Sequence, residues 1–177
     1  PPYAIAQLRP VLDQPQLRFT DCMMENGLVT LVFNAFGEIA SCRLADGHEL
    51  ALGPLNRLTL YSDPLSIPFD AWDLHQTYYK KHKRRLKCLS ATTRQEGPRL
   101  VREQTYRFGK SSILQRVILE AGSDCVRFET QVSWHERLKM LRADFFPADY
   151  GDTADFDIQF GTMTRPTTER DSIERAQ

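Results

Sequence analysis

The chain has 177 residues, 41% of them hydrophobic, and its 23 basic side chains balance 23 acidic ones. That length supports one sizeable domain, or a large piece of a bigger one. A net charge of zero gives no global pull towards nucleic acid or a membrane surface, and the longest apolar runs are only a few residues, too short for a spanning helix.

Residues 1–20 open on a Pro-rich, irregular stretch and read as a linker or the tail of a preceding domain. The start, Pro1-Pro2-Tyr3-Ala4, carries neither an initiator Met nor the regions of a signal peptide, so the chain is expected to be cut from a longer protein. From residue 21 onward the signal is almost entirely β. Leu28–Phe33 is an apolar run bounded by Asn26-Gly27 and by the turn residues 34–37, and Glu38–Leu44 follows it. Those turn residues predict a hairpin, with a second turn at Asp46-Gly47. Arg57–Tyr61 sets Leu58 and Leu60 against Arg57 and Thr59.

Pro64–Leu74 comes next. Its two prolines fix the backbone and remove donors, so it cannot continue a central strand. Between them and beyond lie Phe69, Asp70, Trp72 and Asp73. Carboxylates accept hydrogen bonds from hydroxyls, and an indole face packs on the C–H face of a sugar ring. The plainer alternative is a surface turn whose Trp72 plugs the end of a core. The basic run Lys80-Lys81-His82-Lys83-Arg84-Arg85, with Lys87, follows Tyr78 and Tyr79. With the rest of the chain cancelling its charge, it reads as a solvated loop or an anionic contact with a neighbouring domain rather than a nucleic-acid site.

The second half reads as a meander over Leu100–Phe108, Ile113–Glu120, Asp124–Trp134, Leu138–Phe146 and Asp155–Phe160. Pairing across Gly109-Lys110 would bury Tyr106 and Phe108 with Ile113 or Leu114. Val126, Phe128, Thr130, Val132 and Trp134 share one face of a long strand, the mark of a sheet with one dry side. A charge at Phe128 or Val132 is therefore expected to prevent folding. Phe156, Ile158 and Phe160 repeat the pattern. Trp134–Leu141 is either one helical turn or a continued strand. Many short strands without an amphipathic helix predict an all-β fold, an antiparallel β-sandwich.

Cys22, Cys42, Cys88 and Cys125 include no Cys-x-x-Cys pair and read as reduced core thiols, which points to the cytoplasm. Asp73 and His75 could offer two metal ligands, but a metal needs three or four, and no second pair matches. The chain is expected to hold no metal by itself. Trp134-His135-Glu136 could do acid–base work or form a hydrogen-bonded corner.

Five stretches in order resemble the C-terminal β-domain of glycoside hydrolase family 38 α-mannosidases, of the cytosolic and bacterial type. They are Glu25-Asn26-Gly27-Leu28-Val29, Asp70-Ala71-Trp72-Asp73, Val132-Ser133-Trp134-His135-Glu136, Lys139-Met140-Leu141, and Phe156-Asp157-Ile158-Gln159-Phe160-Gly161 leading into Arg165-Pro166-Thr167. The family pattern continues Arg-Pro-Thr-His, whereas here Thr168-Glu169-Arg170-Asp171 follows Thr167. The resemblance implies a mutarotase-like supersandwich, incomplete here over residues 21–177, from a zinc-dependent, retaining exo-α-mannosidase. It places the zinc, nucleophile and acid/base in an N-terminal catalytic domain. This chain would then be inactive alone and hold no catalytic residue. A retaining mechanism needs carboxyls about 5–5.5 Å apart, and Asp70 and Asp73 are not given that role. The resemblance implies instead that Trp72, Asp70, Asp73 and Arg165 line the rim of an α-mannoside pocket. Partners are the catalytic domain and the mannoside, with a homo-oligomer left open and no nucleic acid or membrane. The alternatives are a stand-alone carbohydrate-binding module, a mutarotase-like epimerase using His75 or His135 with Glu136, and a purely structural domain.

Overall fold

A computed structural model describes residues 17–63, 83–149 and 151–168. Every regular element among them is a strand, and every pairing is antiparallel. The first sheet runs β1 (Arg18–Thr20), β2 (Met23–Glu25), β3 (Val29–Phe33) and β4 (Ile39–Leu44) in chain order. β1 thus lies within the stretch read as linker. The second sheet has the order β10 (Val126–Ser133), β9 (Ser111–Glu120), β8 (Arg99–Phe108), β7 (Ser90–Glu96). A third joins β11 (Lys139–Asp144), β5 (Arg57–Ser62) and β6 (Lys83–Arg85), and β12 (Thr153–Ile158) pairs only with β13 (Gly161–Pro166).

The long β8–β9 hairpin organises the rest. Alternation sends Leu100, Arg102, Gln104, Tyr106 and Phe108 to one face, with Ile113, Gln115, Val117 and Leu119 opposite them in register. One half of that face meets the first sheet: Leu100, Val117 and Leu119 pack with Met24, Val29, Leu31, Phe33, Ile39 and Cys42. The other half meets the third sheet, where Leu58 and Leu86 close over Tyr106, Phe108 and Ile113, with Leu60 and Leu141 at the margin. Two small sheets therefore cover one long one, which makes a two-layer antiparallel sandwich. Tyr106 faces Ile113, as the turn at Gly109-Lys110 predicts. The Asn26-Gly27, Gly37 and Asp46-Gly47 turns also fall where the sequence puts them. Gly37 has φ 79°, and a Cβ there would collide with the Tyr106 hydroxyl and Gln104 Oε1.

A polar belt separates the two halves of the core. Arg102 donates to the Asp21 carbonyl (2.6 Å) and to Thr93 Oγ1 (3.0 Å), and its guanidinium lies 4.4 Å over the Phe33 ring. Gln104 donates to the Gly37 carbonyl at 3.0 Å. Gln115 exchanges hydrogen bonds with Asn56 (2.8 and 3.2 Å). Among the described residues no buried side-chain nitrogen or oxygen is left unsatisfied, as low-dielectric interiors require.

Three expectations change, and one strand was not expected. The meander breaks after β10, because β11 pairs with β5 and not with β10. β7 is a strand of polar residues whose sequence shows no alternation; pairing along β8 places it. Cys42 is buried and Cys88 half-buried, and burial raises both thiol pKa values, but Cys22 and Cys125 are exposed at strand ends. The dry face of β10 is dry only at one end: Val126 and Phe128 pack on the core, whereas Val132 is 45% exposed. β10 is an edge strand, and the small sheets do not reach its far end.

A charge at Phe128 and one at Val132 are therefore not equivalent. Phe128→Asp should cost about 2–3 kcal/mol in lost burial, and Val132→Asp roughly 0.5 kcal/mol as a surface change. Urea midpoints of the two variants check this difference.

Candidate functional site

The outer face of the third sheet carries the described concavity richest in charged groups. Because β5 alternates, turning Leu58 and Leu60 inward leaves Arg57, Thr59 and Tyr61 on the other side. Register brings Arg85 opposite Thr59, Lys83 opposite Tyr61 and Asp144 opposite Arg57. With Phe146 these residues line a cleft of about 460 Å³.

A buried carboxylate sets the geometry. Glu38 is 1% exposed and sits beside the Asn34–Gly37 turn. Arg85 makes a two-pronged ion pair with it through Nε and Nη2, Arg57 Nε donates to Oε1 at 3.3 Å, and Asn34 donates to Oε2 at 2.9 Å. Each guanidinium also rests on a ring. Arg85 lies 3.5 Å from the Phe36 centroid and Arg57 5.1 Å from that of Phe146. Across the cleft, Thr59 donates to Asp144 Oδ2 at 2.9 Å. Three cations and one carboxylate line the cleft, and Glu38 behind them offsets one cation. Cations and a carboxylate facing each other beside Tyr61 and Phe146 can hold hydroxyl-rich or anionic groups.

The wall bearing Phe146 is held by Glu49. Its carboxylate accepts from Ser41 Oγ, from the Cys42 amide (2.7 Å) and from the Ala51 amide (3.1 Å). The Leu52 and Gly53 amides in turn donate to the Phe146 carbonyl at 3.0 and 3.1 Å. Burial pushes the Glu49 pKa up, but the hydrogen bonds from Ser41, Cys42 and Ala51 outweigh it and hold the carboxyl below its ordinary value.

Of the predicted site residues, Arg165 alone is among the described residues. Trp72, Asp70 and Asp73 lie outside the described residues, as do His75 and His82. Arg165 is on β13, in the two-stranded sheet, 5.8 Å over the Phe156 ring with Nη2 3.9 Å from Met163 Sδ. Of the basic run, Arg85 finds its anion in Glu38 of this same chain rather than in a neighbouring domain. His135 and Glu136 lie in a hydrogen-bonded corner. Glu136 Oε1 accepts from the Lys110 amide (2.9 Å) and Ser111 Oγ (3.0 Å), while His135 Nε2 lies 3.1 Å from Ser133 Oγ. His48 Nε2 lies 2.6 Å from Asp149 Oδ2. Among the described residues no three His, Cys, Asp or Glu side chains converge to hold a metal, and no helix is long and apolar enough to cross a membrane. Sequence reasoning missed Glu38 and Asp144. The period-two pattern of Arg57–Tyr61 showed a polar face, but no local signal gives the strand that completes it.

Fold and cleft together define an antiparallel sandwich domain with a charged outer face. Residues 24–177 match the glycosyl hydrolases family 38 C-terminal domain, and the chain belongs to that family. Human Alpha-mannosidase 2C1 is 29% identical over 174 residues, which cover 94% of this chain and 17% of that protein. Mouse Alpha-mannosidase 2C1 is 30% identical over 87% of this chain and 15% of its own length. Alpha-mannosidase G of Dictyostelium discoideum is 32% identical over 83% of this chain and 14% of its own. The chain thus spans about one-sixth of the length of these relatives.

Two outcomes are expected. Glu38→Ala leaves two guanidinium groups facing each other without their carboxylate. It should cost about 3 kcal/mol, near the low end for breaking a buried pair because both arginines are partly exposed; the urea midpoint reads it. Glu49 has a lowered folded pKa, so its contribution is full above the unfolded carboxyl pKa and is lost as pH falls through the folded one. Glu49→Gln should therefore flatten the acid limb of the thermal-stability profile below about pH 4.3, the ordinary glutamate value.

Proposed function

We propose that this chain is the non-catalytic β-sandwich portion of a retaining, zinc-dependent α-mannosidase, with the sandwich beginning at β1 rather than at residue 21. Family membership with three relatives named α-mannosidases carries the reading. In it, the domain packs against an N-terminal catalytic domain and lends residues to the rim of the pocket for a terminal α-mannoside. Trp72 stacks on the sugar, Asp70 and Asp73 accept its hydroxyls, and Arg165 adds a cation. The placement of β5 and β6 supports the first three. These strands flank residues 64–82, and the pairing of Tyr61 with Lys83 fixes both ends of that segment at the cleft.

The zinc does not belong to the described residues. His48 has one carboxylate beside it and His135 a hydroxyl, and neither set offers the three or four donors a zinc takes. No step of the reaction is assigned to these side chains. Four free thiols suit a reducing compartment, so we place the enzyme in the cytoplasm.

The test is kinetic. In the full-length enzyme, Trp72→Ala should lower kcat/KM for an aryl α-mannoside about tenfold, the scale of one lost stacking contact of about 1.4 kcal/mol. The 177-residue chain should show no turnover with or without added zinc. Turnover by this chain alone would overturn the assignment of catalysis to another domain.

A further inference from the structure

The outer faces of the sheets treat exposed charge in two ways. On the second sheet, Arg99 pairs with Glu96, Arg116 with Glu103 and Arg127 with Glu120. Neighbouring strands that set opposite signs beside each other finish a solvent face in the ordinary manner. The cleft on the third sheet is finished differently. In the register of β11, β5 and β6, Thr59 stands between Arg142 and Arg85, with Arg57 and Tyr61 two residues to either side and Lys83 opposite Tyr61. Thr59, only 4% exposed, is the floor of the cleft.

The charges around that floor do not cancel. Arg142 Nε lies 3.8 Å from Asp144 Oδ1, so this cation and this carboxylate offset each other. Glu38 offsets one of Arg57, Arg85 and Lys83, and two positive charges are left. Glu38 engages only Nε of Arg57, and Nε with Nη2 of Arg85. Arg85 Nη1 and both Nη groups of Arg57 therefore meet no carboxylate among the described residues. Nor does the ammonium of Lys83, which lines the same cleft. Two guanidinium groups held close together repel, and the buried carboxylate behind them keeps them in place, with the Phe36 and Phe146 rings against them. Donors fixed in advance lose little freedom when an anion arrives.

We propose that this cleft binds the phosphate monoester of a sugar. A monoester carries about −1.5 to −2 charges at pH 7. That matches the two uncompensated cations, whereas a carboxylate or a phosphodiester supplies only one charge. Guanidinium forks and a lysine ammonium are the donors that phosphate oxygens take. Asp144 identifies the rest of the ligand. Its Oδ2 accepts from Thr59 at 2.9 Å, and its remaining lone pairs can accept hydroxyls, while its charge disfavours a bare anion. Tyr61 and Phe146 supply apolar surface for the C–H side of a sugar ring. The volume of about 460 Å³ falls within the roughly 300–1,000 Å³ usual for small-molecule sites.

This goes beyond the mannosidase reading and uses only side chains of this chain. Its test reads binding without turnover, so either can fail while the other stands. Inorganic phosphate, glucose 6-phosphate and glucose, none of them a mannoside, are titrated into the full-length protein by calorimetry at low salt. Glucose 6-phosphate should saturate one site and bind at least about fivefold more tightly than inorganic phosphate, with glucose weaker still. Lys83→Ala should weaken glucose 6-phosphate about fivefold, the scale of one partly exposed charge pair, and leave the thermal midpoint unchanged because Lys83 is exposed. Asp144→Asn should tighten inorganic phosphate and narrow the preference for the sugar phosphate. The proposal is overturned by an absence of saturable glucose 6-phosphate binding, by binding that Lys83→Ala leaves unchanged, or by equal affinity for glucose 6-phosphate and either of its two halves. An Asp144→Asn protein that holds inorganic phosphate no more tightly also overturns it.

Discussion

The carboxylate of Glu38, enclosed by Arg57, Arg85 and Asn34, is the interaction on which the architecture turns. It stands where three pieces of chain meet: the Asn34–Gly37 turn of the first sheet and the two strands β5 and β6 of the third. Hydrophobic burial can press two small sheets onto a longer one, but it is non-directional and does not say how they sit side by side. An ion pair with two defined partners does. The cost of desolvating Glu38 is offset by two cations and an amide, and the arrangement survives because each cation also rests on a ring. The neighbouring Asn56–Gln115 amide pair repeats the linkage between the layers, tying the residue that leads into β5 to the centre of β9.

This junction explains why the cleft lies on the outer face of the third sheet. Leu58, Leu60 and Leu141 are committed to the core, so their neighbours have to face away from it. Those neighbours happen to be cations, hydroxyls and an acid. The same face lies between the ends of the segment carrying Asp70-Ala71-Trp72-Asp73. A rigid strand pair with its charges fixed from behind holds the geometry of that face constant.

Much of the fold was legible because strands announce themselves by alternation. β3, β4, β5, β8, β9, β10 and β12 were read close to their observed limits. β1, β2, β6, β7 and β13 were not, being short or polar and placed by their partners rather than by their own pattern. The crossing of β11 to β5 was invisible for a related reason, since antiparallel neighbours are chosen over long sequence distances. The site was less legible. Glu38 follows a turn glycine and looks like any surface acid, and its burial depends on Arg57 and Arg85, 19 and 47 positions further on. The face of β10 misled because a period of two tells which residues share a side, not how far the opposing layer extends. Family resemblance filled what local pattern could not, through short motifs spread over nearly the whole chain.

The polar belt of Arg102, Gln104 and Gln115 also acts as an alignment key for the longest hairpin. Sliding β8 by one residue would turn Glu103 and Thr105 inward and strand Gly37, Asp21 and Thr93 without their donors. A wholly aliphatic strip would accept neighbouring alignments at smaller penalty. By interrupting the greasy middle of the sandwich with groups that each need one particular partner, the chain trades some cohesion for a single way of fitting together.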